Sequence, residues 1–424
     1  MHAIARRKSG FLVAVALAAA CGGEPPGAGV AGQREATSVA AADVARASAA
    51  RPPAGRGQSR GVAVFTPRIV GERNGAPLYR KEVLSPVYSI DRLYGSMRGP
   101  QSSVAFHLAA DKLAPEPELL WVTAFEAVMV APDGVTVLSD EFMCHSNLNV
   151  ERDLYHENVL SDLELTAGRL FTLAQGQLSA RLPDGYGLPV VSSQLVTLAT
   201  QVLNHNVTDR KLDVRHRIRI EFVRDRDLVR PLVPLVHHGV VGLKLIDGPD
   251  GYVQIPPDRV DPSVHGEGCG IGEPAVDGNS HQLEDGFGRR FTSFWLVKPG
   301  REVNHTRVTT MLALPYDTTA HYITAHLHPF AESLELRDLS TGETVFKSRT
   351  RQADGRIGLA EVEHYASPEG IPLYRDHEYE LISIYENSSG RDQDSMATMM
   401  LYLRVQDFRL KAGVLAPMAQ VAFH

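Results

Sequence analysis

The chain is 424 residues long, with 43% hydrophobic and 22% charged residues, a globular composition that rules out wholesale disorder. Lys plus Arg number 43 against 50 Asp plus Glu, a formal net charge of −7, so there is no basic footprint for nucleic acid. Thirty-six glycines and 26 prolines favour many short strands over long helices, and three cysteines are too few for a disulfide scaffold.

Residues 1–21 carry a basic stretch (Arg6, Arg7, Lys8) followed by an apolar run from Phe11 to Ala20 that is too short to span a bilayer. This is the pattern of a signal peptide. Ala18, Ala19 and Ala20 ahead of Cys21 resemble the lipobox of bacterial lipoproteins. That resemblance implies a lipid anchor on Cys21 and a protein outside the cytoplasm, in the bacterial periplasm or at the outer membrane. A plain secretory signal cut nearby is the alternative. Residues 22–61 are mostly Ala, Gly, Pro, Ser and Arg, and read as a flexible linker that cannot offset its ordering entropy.

Beyond residue 62 the pattern alternates between strands and turns. Glu118–Val130, the turn Pro132-Asp133-Gly134 and Val135–Leu138 predict a hairpin. His216–Val223 alternates charged and apolar residues with period two, as a half-buried strand does. Ser333–Leu339 and Thr344–Lys347, joined by Ser340-Thr341-Gly342-Glu343, predict a second hairpin. Glu378–Tyr385 and Met399–Val405 read as a further antiparallel pair. Residues 226–290 are rich in Pro, Gly and Asp, and read as an irregular connector. The expected fold is therefore all-β. Two antiparallel, jelly-roll-like β-sandwich domains are expected at 62–225 and 291–424, on either side of that connector.

Seventeen histidines prompt a search for metal-ligand spacing. His326 and His328 are two apart in the strand-like run Tyr322–Phe330, so both imidazoles project to one face. Met396 stands at the start of the last strand, after the polar stretch Asn387–Ser395. A thioether beside two imidazoles is a soft set that favours copper, Cu(I) above all. His321, five residues before His326, falls on the opposite face of a regular strand and reads as structural or supporting. His377 lies at odd offsets from Glu378 and Glu380, so a solvated strand end is expected there, and Asp225 with Asp227 reads as a charged turn. No dinucleotide-binding glycine motif, Walker loop or nucleophile elbow is present.

His326-Leu327-His328, followed some seventy residues later by Asp394-Ser395-Met396, resembles the second domain of the copper type II, ascorbate-dependent monooxygenases, the family of the peptidylglycine and dopamine hydroxylases. The phrase Phe294–Val308 is similar to that family's approach to the same domain. The resemblance implies that His326, His328 and Met396 hold the copper that activates O2. It further implies a small reductant such as ascorbate, and a peptide or small-molecule substrate hydroxylated at a C–H bond. The family's second, electron-donating copper sits in the first domain on three histidines, two of them adjacent. At the matching positions this chain has only His145 and His205, and its adjacent pair His237-His238 falls in the connector. Three possibilities stay open: a reduced site completed by His107, His156 or Cys144; a lost site; or two structural histidines. The leading alternative to an enzyme is a copper-holding lipoprotein without turnover; the other is a β-sandwich module with no metal. Cys144 and Cys269 either pair as a disulfide or remain buried thiols.

Overall fold

The computed structural model describes residues 61–109, 116–163, 168–247, 282–284 and 289–415. The signal segment, the linker, Cys21 and Cys269 lie outside the described residues, and with them the anchor and the disulfide. Residues 59–424 belong to one compact unit, and within it the described residues are all-β with two short helices, Arg152–Asn158 and Thr309–Leu312.

A long sheet forms the frame. Its strands run in the order Ala63–Val64, Ala76–Leu84, Leu212–Arg224, Leu119–Val130, Tyr186–Val191, Val233–Val241, Ala397–Arg404, Thr318–Leu327 and Tyr365–Leu373. Two smaller antiparallel sheets accompany it. One has the order Gln101–His107, Leu195–Val202, Met143–Val150, Arg169–Ala174; the other has Gly300–Arg307, Tyr379–Asn387, Ala331–Asp338, Thr344–Gln352, Leu359–Val362. Phe125 of the long sheet stacks on Phe171 of the four-stranded sheet at 5.8 Å, and Phe171 in turn meets Tyr402 at 5.4 Å.

Sequence pattern explains the strands directly. In Leu212–Arg224 the isoleucines Ile218 and Ile220 and Phe222 are fully buried. The alternate position Arg219 instead faces its cross-strand neighbours, binding Glu126 at 2.8 Å and Glu82 at 3.3 Å. Opposite charges placed directly across a sheet contribute about 0.2–1 kcal/mol each. The Ala331–Asp338 and Thr344–Gln352 hairpin forms around the predicted turn, where Gly342 takes φ +76° and Asp338 accepts from the backbone of Ser340 and Thr341.

Three expectations change. The segment after Pro132-Asp133-Gly134 makes a turn and a single bridge, Val130 to Val137, in place of a second strand arm. Val135 and Val137 are exposed and give such an arm no apolar face to bury. The strands Tyr379–Asn387 and Ala397–Arg404 both form but do not pair with one another. The first lies between Gly300–Arg307 and Ala331–Asp338, and the second between Val233–Val241 and Thr318–Leu327. The intervening Gln393–Ser395 pairs with Trp295–Val297 and carries the chain from one sheet to the other. The region 226–290, expected to be irregular, contributes Val233–Val241. This strand pairs in parallel with Tyr186–Val191 and antiparallel with Ala397–Arg404, so the long sheet runs unbroken between the halves. Its apolar members Leu235, Val236, Val240 and Val241 are buried, which a pattern dominated by flanking Pro and Gly concealed.

Candidate metal centre

His326 is the penultimate residue of Thr318–Leu327, and His328 follows immediately. The antiparallel register sets His326 opposite Thr398 and Leu327 opposite Ala397. The paired ladder ends there, and Met396, the residue before Ala397, is buried in the same hydrophobic core as Leu327 and Ala397. His326, His328 and Met396 are buried, at 4%, 3% and 0% exposure. Two imidazoles binding one first-row ion at about 2.0–2.1 Å have ring centroids on the order of 5 Å apart. Those of His326 and His328 are 5.4 Å apart with planes at 87°.

His328 is held from behind. Its Nδ1 is 3.1 Å from Oδ1 of Asp394, two residues before Met396. The carboxylate can only accept, so Nδ1 carries a proton, which in the neutral imidazole leaves Nε2 its lone pair. That Nε2 is buried and has no hydrogen-bond partner. A carboxylate behind an imidazole whose other nitrogen is unsatisfied is the usual support of a metal ligand. Oδ2 of Asp394 accepts from the backbone N–H of Ser96 at 3.0 Å. Burial by itself would raise the Asp394 pKa. The His328 hydrogen bond, the fields of His328 and His205 and the Ser96 contact outweigh it and hold the group down to about 2. His326 is pushed well below the ordinary imidazole range, first by burial and then by the fields of His328, His145 and Arg169. Its neutral form, the one that binds metal, is therefore the resting form.

Among the described residues no three His, Cys, Asp or Glu side chains stand close enough to hold an ion. Two imidazoles with a thioether from Met396 would make a soft donor set, and that chemistry fits copper.

The first-half candidates lie differently. His145 is buried in Met143–Val150, opposite Gln201 on one side and Ala174 on the other. His205 follows Leu195–Val202, in the turn where the Asn204 side chain caps Asn206 and Val207. Burial lowers the His205 pKa, offset in part by Asp394, with His328 and Cys144 also within its electrostatic reach. His145 acts on His326 and on His216. Electrostatic interaction thus links His205 with His328 and His145 with His326. Of the proposed third ligands, His107 closes the edge strand Gln101–His107 and His156 meets Tyr155 edge to face in a helix. Cys144 adjoins His145 in the same strand, at a bulge where Gln201 pairs with His145 and Val202 with Met143.

The other histidines singled out in the sequence have partners away from this pair. His321 occupies a bulge between Ala320 and Tyr322, so the regular-strand parity does not apply to it. It bonds to Thr319 Oγ1 at 2.7 Å and to the Ser367 carbonyl at 3.1 Å, and stacks on Tyr186 at 4.2 Å. His377 is paired with Asp338 at 2.5 Å, a carboxylate from the neighbouring strand that parity along its own strand does not reveal. His237 and His238 sit in Val233–Val241, where His238 Nε2 meets the Met311 carbonyl at 2.8 Å. Asp225 and Asp227 form the charged turn, with Trp121 Nε1 donating to Asp225 at 2.8 Å.

Sequence reasoning gave no role to Asp394, Ser96, Gly95 or His216. For Asp394 a signal existed, since its position two residues before Met396 is a same-face offset. For Ser96 and Gly95, some 300 residues away in sequence, none did.

No protein-family model and no curated protein matches the chain. Similar solved structures include the Cowpea mosaic virus top component, at 7% identity and TM-score 0.32 over 81% of this chain and 93% of that one. They also include the Sulfolobus Turreted Icosahedral Virus structure (10% identity, TM-score 0.14, 76% of this chain and 59% of that one). A third is the mavirus major capsid protein (6% identity, TM-score 0.19, 92% and 97%). Likenesses at this level carry no function across.

Proposed function

We propose that the chain is a copper-dependent monooxygenase, anchored outside the cytoplasm through Cys21, that hydroxylates a C–H bond of a small-molecule or peptide substrate. The supporting observation is the pair of buried imidazoles 5.4 Å apart, one braced by Asp394, with Met396 buried directly before the strand that pairs with theirs. When bound there, copper would supply O2 activation, the reaction consuming O2, two electrons from ascorbate or another small reductant and two protons, and releasing water. The chain's own part is to keep His326 neutral and to hold His328 in one orientation. A soft thioether on the third position favours the reduced metal.

Burial favours a second reading. With all three side chains at 4% exposure or less, the same set would serve a protein that holds Cu(I) without turnover. Copper analysis of the protein loaded under reducing conditions, paired with reductant consumption under O2, separates the readings. One copper per chain with reductant-dependent O2 uptake supports the enzyme. One copper with no uptake supports the holding protein, and no copper removes both. His145 and His205 belong to the proposal only as candidates for a second copper, which requires a count of two.

A further inference from the structure

A contact from a segment remote in sequence reaches the candidate centre. The segment Asp91–Met97 is fastened to the His205 turn: Tyr94 and Asn204 exchange backbone hydrogen bonds at 2.8 and 3.2 Å, and Asn204 Nδ2 donates to the Arg92 carbonyl at 2.9 Å. From that anchorage Ser96 offers its backbone N–H to Asp394 Oδ2 at 3.0 Å. Gly95 makes the approach possible, because a Cβ there would lie 2.8 Å from the same oxygen. The next residue, Met97, takes φ +64°, a conformation that unbranched side chains rarely adopt. A strained residue is thus accommodated directly after the two that meet the carboxylate. Asp394 is then held at both oxygens, Oδ2 by the first half of the chain and Oδ1 by His328.

We infer that Asp394 is a positioning residue, and that the Gly95-Ser96 backbone sets it so as to lock His328 with Nδ1 protonated and Nε2 presented for a ligand. The inference rests on the copper reading for the identity of that ligand, but the imidazole geometry it asserts belongs to the protein alone. Among the described residues the other ring contacts of His328 are edge-to-face, with His326 at 5.4 Å and Phe294 at 6.0 Å, and neither selects a tautomer. Without the Ser96 N–H, Asp394 keeps its charge but loses one of the two contacts that fix its plane. Outer partners of this kind change metal affinity by 10–100-fold when removed.

The test uses the full chain labelled with 15N-histidine, first without metal and then titrated with Cu(I) against a chromophoric chelator. Wild type is compared with Asp394→Asn, Asp394→Ala and Gly95→Ala, each checked for an unchanged melting transition. The expected result is a His328 ring protonated at Nδ1 in wild type. In Asp394→Ala the tautomers should mix and Cu(I) affinity should fall about 10–100-fold. Asp394→Asn, which can still accept through its carbonyl oxygen, should keep the tautomer and lose less affinity. Gly95→Ala should fall between them. A folded Asp394→Ala protein with the wild-type tautomer would overturn the inference, as would wild-type His328 protonated at Nε2. If wild type binds no Cu(I) yet shows the Nδ1–H tautomer lost in Asp394→Ala, the copper reading fails while the positioning role stands.

Discussion

Two sets of histidines in this molecule illustrate different ways in which a β-protein gathers imidazoles. His326 and His328 come from one strand end, and Met396 directly precedes the strand that pairs with it; a two-residue spacing is enough to put both imidazoles on one face. His145 and His205 come from a buried strand and from a turn after its neighbour, and each is surrounded by different partners. Local spacing therefore defines the first set, whereas the second owes its position to how the four-stranded sheet and the turn after Leu195–Val202 meet the rest of the chain. Asp394 belongs to both patterns, local to Met396 by sequence and joined to Ser96 only through the fold.

That contrast predicts a graded response to substitution. His326→Ala should abolish stoichiometric copper, with affinity reduced by at least ~100-fold given that outer partners alone are worth 10–100-fold. Elemental analysis after gel filtration reads this directly, and copper retained at one per chain would place the site elsewhere. Met396→Ala should weaken Cu(I) by roughly tenfold while affecting Cu(II) less, because a thioether is soft. Parallel titrations of the two oxidation states would show it, and equal losses would mean that Met396 is core filler.

His216 sharpens the view of the first half through stability. It is fully buried, and its Nδ1 lies 2.8 Å from Ser146 Oγ. Burial, with a smaller contribution from His145, pushes its pKa down to about 3. The folded state therefore binds this proton far more weakly than the unfolded state. Its contribution is complete above the unfolded value of about 6.5 and is lost as pH falls from there towards 3, by up to ~1.4 kcal/mol per pH unit. Denaturant melts between pH 7 and 4 should show that slope in wild type and a shallower one in His216→Asn; parallel curves would refute it.

Tyr402 provides a smaller effect. Its hydroxyl is buried with no hydrogen-bond partner, and its ring packs against Phe171 and Tyr322. Removing an unsatisfied hydroxyl should leave stability unchanged or raise it by up to about 1 kcal/mol in Tyr402→Phe, measured by thermal melting. A loss would reveal a bond to that oxygen. The smallest expected change is none: His145→Ala and His205→Ala should each leave the copper count at one. A count that falls from two to one in either variant would establish a second site and erase the distinction between the two sets.

The sequence by itself determined the class of the fold and the local half of the site. Period-two patterning in Leu212–Arg224, turn chemistry at Ser340–Glu343 and the same-face offset of His326 and His328 are consequences of strand geometry that neighbouring residues enforce. The tertiary structure decided everything that depends on which strands meet. It separated Tyr379–Asn387 from Ala397–Arg404, drew Val233–Val241 out of an apparently irregular stretch into the long sheet, and gave His377 its carboxylate in Asp338. It also brought the Ser96 N–H to Asp394, across 298 positions of chain. The physical reason is common to all of these: side-chain parity is local, whereas strand partners are chosen by the burial of whole faces. One bulge, such as that at His321, cancels the parity on which a reading along the chain depends.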